Sequence, residues 1–160
     1  MLLSPIMYGI CLKYMKTKTE ADDVFQEAFI MLFQKIDQYK FSGSFEGWAK
    51  RIFINKALEV LRKKQRHMYV EIEDSSLNYV VEEDIKKPDV KLSQDELLKH
   101  IQQLPDNYRI VFNLYVFEGY DHKVIAQKLK MAVGTSKSLL SRAKSVLRSR
   151  INEELKKKVS

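Results

Sequence analysis

Apolar residues recur three and four positions apart in long runs along the chain, and strand-like alternation is scarce, which predicts an all-helical protein. Ser4 and Pro5 open a first helix, as N-cap and first helical residue. The run Thr19, Glu20, Ala21, Asp22, Asp23 opens a second, with acid in the first turn to suit the helix dipole, and it extends to about Ile36. A polar loop from Asp37 to Ser44, holding Gly43, ends that helix, and a long one follows from Phe45 to about Gln65. Over residues 70–91 the period is lost and acid accumulates before and after Pro88, the pattern of a flexible linker. Helices resume near Leu92. One covers Ser93 to Gln103, and Leu104, Pro105 and Asp106 cap the next, which runs to about Glu118. Gly119, Tyr120 and Asp121 introduce a short helix, and a turn leads to a last one from about Val133 to the terminal lysines. The expected organisation is therefore two small helical domains, residues 1–69 and 92–160, joined by an acidic linker over 70–91.

Projected at 100° per residue, three of these helices show faces that a plain core-and-solvent division does not explain. In the helix from Phe45, Ala49, Ile52, Phe53, Ala57, Val60 and Leu61 share an apolar sector, and Arg51, Asn55, Glu59 and Arg62 form a polar stripe. The chain's only tryptophan, Trp48, falls on that stripe. Two readings stand side by side: Trp48 seals the edge of the core, or it offers a ring on which a single-stranded base stacks for roughly 1–3 kcal/mol while nearby cations hold phosphates. The second helix sets Val24, Ala28, Leu32 and Ile36 toward a core with Phe25 and Phe29 flanking, and presents Asp23, Gln26, Glu27 and Gln34 on the other side. Ile30 and Phe33 sit among those polar residues, which suits a docking surface better than a solvated face. In the last helix Leu140, Ala143, Leu147 and Ile151 face inward, while Lys137, Ser138, Ser141, Arg142, Lys144, Ser145, Arg148 and Ser149 make an unbroken surface of cations and hydroxyls. Together with the short helix and turn before it, this is helix-turn-helix organisation suited to DNA.

Charge sharpens that picture. Residues 1–70 carry twelve basic side chains against seven acidic, residues 71–90 two against seven, and residues 91–160 fourteen against seven, so two basic blocks flank an acidic one. No acid at all occurs from 122 to 152. Two polyanion-binding modules with a linker kept off the polyanion fit this distribution. With 45% hydrophobic residues the chain can bury a core, and its single cysteine, Cys11, excludes an internal disulfide framework and suits a reducing cytoplasm. The apolar start has no basic leader and is broken by Pro5, unlike a signal peptide, and no uncharged stretch approaches the length of a membrane span. Catalysis finds no footing. His67, His100 and His122 lie far apart without metal-ligand spacing and read as surface histidines where they adjoin basic residues. Phosphate-binding, zinc-protease and nucleophile-elbow motifs are missing. No catalytic residue, metal or cofactor is expected.

The residues with these three faces resemble a known family. Residues 20–33, EADDVFQEAFIMLF, resemble the polymerase-docking helix of bacterial extracytoplasmic-function (ECF) sigma factors, 43–63 resemble their promoter-melting segment G-x-F-x-x-W-x-x-R-I-x-x-N-x-A-x-D-x-x-R-K, and 104–144 resemble their C-terminal helix-turn-helix domain. The resemblance implies an all-α protein with a sigma region 2 bundle and a region 4 helix-turn-helix. Its implied activity is initiation of transcription: binding core RNA polymerase through the beta-prime clamp and beta flap, recognising and melting promoter DNA, and serving under the control of an anti-sigma factor. Residue by residue, it implies Asp22, Asp23, Gln26 and Glu27, with Ile30 and Phe33, as polymerase contacts. Trp48, Arg51, Asn55, Arg62 and Lys63 would form the minus-ten face, with the Phe41–Ser44 loop (Ser42, Gly43, Ser44) near a flipped base. Thr135, Ser136, Lys137, Ser138, Ser141 and Arg142 would face the minus-thirty-five element. The sequence departs from the family at the second domain's turn, where Lys130 replaces the usual glycine, at the cap position, where Ala132 replaces serine, and at Ser136 and Leu139, which replace a valine and an arginine. The rival reading is a helix-turn-helix regulator that binds duplex DNA without polymerase.

Overall fold

The computed structural model describes residues 3–65 and 91–159, and every regular element among them is helical. The proposed linker falls almost wholly outside the described residues, as do His67 and residues 66–69. Helix α1 (Leu3–Tyr14) starts one residue ahead of Ser4 and buries Met7, Ile10, Cys11 and Tyr14, one face at the spacing of a helical stripe. Pro5 lies in its first turn, where the missing N–H has no partner to lose.

Helix α2 (Lys18–Lys35) is capped by Thr17, whose hydroxyl accepts from the Glu20 N–H, two residues earlier than the sequence pattern placed the start. It buries Ala21, Val24, Ala28 and Leu32. Ile36, expected on that core face, lies instead in a one-turn 3-10 segment (Ile36–Gln38) and is 43% exposed, because the helix has tightened and rotated it outward. Helix α3 (Phe45–Gln65) has the bounds read from the sequence. Its buried sector is wider than the pattern suggested: Ile54 and Leu58 join Ala49, Ile52, Phe53, Ala57 and Leu61, so burial reaches the edge of the polar stripe. These three helices pack on one another, with Phe25 and Phe29 meeting Phe53 at 5.8 and 6.3 Å between ring centres.

Four helices follow. Helix α4 (Gln94–Gln102) opens with a reciprocal capping box between Ser93 and Glu96. Lys158, 2.7 Å away, and the Ser93 backbone N–H hold the Glu96 carboxyl down at about 2. Helix α5 (Asp106–Phe112) passes into a π-helical turn (Asn113–Phe117), then α6 (His122–Leu129, capped by Asp121) and α7 (Val133–Val159) complete the unit. Helix α7 is the spine on which α4, α5 and α6 lie. Ile101 and Leu104 pack there against Ala143 and Leu147. The larger core is continuous across both sets of helices, running from Met7 and Phe53 to Ile110, Leu114, Ile125 and Leu140.

The turn between α6 and α7 bears on stability. Lys130 closes α6 in the left-handed conformation (φ 54°), with its N–H on the Ala126 carbonyl. A side chain there costs about 1 kcal/mol that glycine avoids. Lys130→Gly is expected to raise Tm by roughly 2–4 °C in a thermal melt; an unchanged or lower Tm would show that the lysine is stabilising by another route.

Candidate nucleic-acid interface

Trp48 settles between the two readings of its position. It is half-buried at the border of the core, with its ring 5.2 Å from Tyr39 and 5.6 Å from Phe45. Tyr39 is the organiser of this corner, and the sequence pattern gave no reason to single it out. Its ring also meets Phe41 at 4.9 Å, and its hydroxyl donates to the Gly43 carbonyl at 2.9 Å. The loop between α2 and α3 is thereby pinned to the start of α3. Phe41 adopts φ 56° and Gly43 φ 83°, so two left-handed residues fold the loop sharply and leave Phe41 87% exposed. Ser42 and Gly43 are exposed, while the Ser44 hydroxyl accepts from the Gly47 N–H at 3.0 Å and caps α3.

Below Trp48 the stripe continues with Arg51 and Asn55, both exposed. Glu59 is engaged by Lys63 at 3.3 Å and Lys56 at 3.6 Å, which lower its carboxyl from the usual range, the Lys63 hydrogen bond foremost. Arg62 is exposed too, but its guanidinium donates to the Lys128 carbonyl at the end of α6. The stripe thus extends roughly 21 Å from Trp48 to Arg62 at 1.5 Å per residue. It has an aromatic corner at one end, and at the other a cation tied to the second set of helices. The arrangement can stack an unpaired base at the corner and run a phosphate backbone down the cations.

On α2, Asp23, Gln26, Glu27, Ile30, Phe33 and Gln34 are all exposed, with Ile30 and Phe33 at 60% and 61%. Asp22 is partly covered and accepts from the Tyr8 hydroxyl at 2.6 Å, a bond that raises the Tyr8 pKa. Glu27 pairs with Lys56 at 3.3 Å. The face is an apolar pair ringed by acids and amides.

On α7, Lys137, Ser141, Lys144, Ser145, Arg148 and Ser149 are exposed and Thr135, Ser138 and Arg142 partly so. Ser136 is the departure: it is fully buried, and its hydroxyl lies 2.9 Å from His122 Nδ1. Leu139 is likewise buried in the core. His122 is no plain surface histidine. It is half-buried and stacks on Tyr115 of the π-helical turn at 4.8 Å, while its bond to Ser136 ties the start of α6 to α7. Burial, with Lys137 and Lys144 nearby, lowers its pKa. A histidine kept neutral beside a cationic surface spares that surface a buried charge.

Residues 2–67 match the family model for sigma-70 region 2, and residues 94–147 match that for sigma-70 region 4. The chain is similar to the ECF RNA polymerase sigma factor SigW of Bacillus subtilis, with 29% identity over 157 residues covering 92% of this chain and 83% of that one. It is also similar to the RNA polymerase sigma-H factor of Pseudomonas aeruginosa, with 30% identity covering 87% and 77%. In fold it resembles the sigma factor RpoE of Bartonella quintana, solved in complex with the anti-sigma factor NepR, at a TM-score of 0.56 and 22% identity over 98% of this chain and 92% of that one. None of its described helices is long and apolar enough to cross a membrane. With both region models matched in order and a relative 30% identical over most of its length, this chain belongs to the sigma-70 family, as an ECF RNA polymerase sigma factor.

Proposed function

We propose that this chain acts as a transcription initiation factor in the cytoplasm, carrying no catalytic chemistry or cofactor of its own, that recruits core RNA polymerase to promoters and helps to open them. In this reading residues 1–69 dock polymerase and melt the minus-ten element, and residues 92–160 hold the minus-thirty-five element. The observation that carries it is the α2 face. Ile30 and Phe33 stand exposed among acids that would repel DNA, and a regulator acting on duplex alone has no use for such a surface. Asp22, Asp23, Gln26 and Glu27 surround the pair as polymerase contacts. The Phe41–Ser44 loop, Trp48, Arg51, Asn55, Arg62 and Lys63 then serve the melted strand. Melting follows from differential binding: a base reaches the aromatic corner only when unstacked, so the single-stranded form gains contacts the duplex lacks.

On α7 the reading assigns Thr135, Lys137, Ser138, Ser141 and Arg142 to the upstream element, with Ser136 acting from beneath through His122. Each cation that neutralises a phosphate steepens salt dependence by about 0.9 in log–log slope. Lys137→Ala with Arg142→Ala is therefore expected to flatten the slope for duplex binding by about 2. An unchanged slope in an anisotropy titration across salt would take α7 out of the contact.

The functional reading itself is tested by adding the chain to core polymerase on a genomic promoter library and mapping the transcripts. Promoter-specific starts support it; duplex binding without polymerase recruitment or transcripts would establish the polymerase-independent regulator instead.

A further inference from the structure

His122 is held by three elements at once. Its Nδ1 lies 2.9 Å from the buried Ser136 hydroxyl in the first turn of α7, and its ring stacks on Tyr115 of the π-helical turn at 4.8 Å, the planes only 20° apart. Its backbone is the first residue of α6, directly behind the Asp121 cap. The ring is thereby set beside the cations of α7. Lys137 follows Ser136 in the chain, and the Lys144 ammonium lies 5.7 Å from the centre of the same Tyr115 ring. The charged groups acting on His122 are these two lysines from α7 and Asp121 from its own helix, while the π-helical turn presents the face of Tyr115. The Asp121 carboxylate is already engaged, accepting from the Val124 N–H at 2.8 Å. Burial, Lys137 and Lys144 outweigh Asp121 and hold the imidazole below its ordinary value, so the free chain carries it neutral at pH 7.

We propose that His122 is a conditional contact of the α7 surface: it gains a proton when duplex DNA docks there, and joins Lys137 and Lys144 as a further cation. Two things keep the ring neutral in the free chain, lost hydration and the repulsion of the two lysines. A phosphate brought against those lysines cancels the repulsion and adds an attraction for the charged ring. In a helix-turn-helix the first helix crosses the DNA backbone while the second lies in the groove, which brings the start of α6 to the phosphates. The ring is only half-buried, so a proton reaches it from solvent. Ser136 makes the change of charge harmless to the fold. A hydroxyl both donates and accepts, so it donates to a bare Nδ1 or accepts from a protonated one, and the joint between α6 and α7 holds in either state. A valine at 136 would give neither state a partner. All this rests on α7 meeting duplex DNA, as proposed above, which the Lys137 and Arg142 substitutions test separately.

A proton taken up on binding makes affinity rise as pH falls. Nothing is gained while the ring is neutral in both states, and the gain is complete once it is charged in both. The test is an anisotropy titration of the full chain against a mixed-sequence duplex oligonucleotide carrying a pH-insensitive dye. Lowering pH from about 7.5 to about 5.5 should tighten binding by up to roughly eightfold at 0.1 M salt and steepen the log–log salt slope by about 0.9, the increment of one more neutralised phosphate. His122→Gln, which keeps a hydrogen-bonding group toward Ser136 but does not titrate, should lose both increments. Contributions of His67 and of His100, which pairs with Glu154, are common to both chains and drop out of the comparison. A second measurement uses the parent chain itself: the titration midpoint of the His122 ring, followed by carbon–proton correlation NMR, should move upward when the duplex is added. Increments that persist in His122→Gln, or a midpoint unmoved by DNA, overturn the proposal. If the Lys137 and Arg142 substitutions still flatten the salt slope, that failure removes His122 alone and leaves α7 on the DNA. If they do not, the contact itself is gone and proton uptake with it.

Discussion

Replacing Ile30 and Phe33 together by aspartate is expected to abolish association with core RNA polymerase while leaving the fold intact. Both side chains point away from the core, at 60% and 61% exposure, and the Phe33 ring meets Phe29 at 5.2 Å between centres. Folding therefore gains little from them, so their loss should leave the melting curve almost unmoved. Their burial against a partner is worth roughly 1.5–3 kcal/mol each, so the pair should weaken association by roughly 10²–10⁴-fold. A labelled chain titrated with core polymerase measures this directly. Affinity within a factor of three of the parent would mean that polymerase binds elsewhere, and the acidic ring around the pair would lose its assigned role.

Trp48→Ala should impair open-complex formation far more than closed binding. Stacking of one base is worth roughly 1–3 kcal/mol, a loss of about 5- to 150-fold that falls only on the melted state. The half-buried indole also supports Tyr39 and Phe45, so some stability will go with it. Trp48→Leu separates the two effects, since it keeps apolar bulk for packing but offers no ring for stacking. Permanganate footprinting reports the open complex, and a gel shift on a duplex promoter kept closed at low temperature reports closed binding. Equal losses in both steps would assign Trp48 to propping the loop alone, with Phe41 or the stripe's cations left to hold the strand.

The elements were legible where the period was long and undisturbed. Helix α3 begins at Phe45 and ends at Gln65 as its apolar spacing requires, and α4 and α6 start at the caps their sequences provide. The errors have local causes. Two threonines two residues apart compete to cap α2, and the earlier one wins. Ile36 keeps step with the core face only if the α-helix continues, and a 3-10 turn breaks that step. Ser136 looks like a small hydroxyl on a basic face, yet it lies one turn ahead of Leu140 on the inward side and bonds His122. What no pattern revealed is how the two sets of helices meet, with Gln102, Asn113 and Arg109 donating to the Leu12, Lys13 and Tyr14 carbonyls at the end of α1. Arg109, Asn113 and Gln102 are ordinary polar residues on short helices, and their partners are backbone carbonyls some ninety to a hundred positions away that carry no side-chain signature. The same holds for Tyr39, whose importance comes from converging rings and not from spacing.

That corner has a practical side. Because Trp48 is the only indole in the chain and lies against Tyr39 and Phe45, its ultraviolet emission comes from a single known place. Contact with a nucleobase quenches such emission, while departure of the loop would expose the ring to water and shift its colour. The protein therefore carries its own lamp at the corner proposed to meet the separated strand, and the order of docking and opening can be followed in the unaltered chain, in real time, with no dye attached.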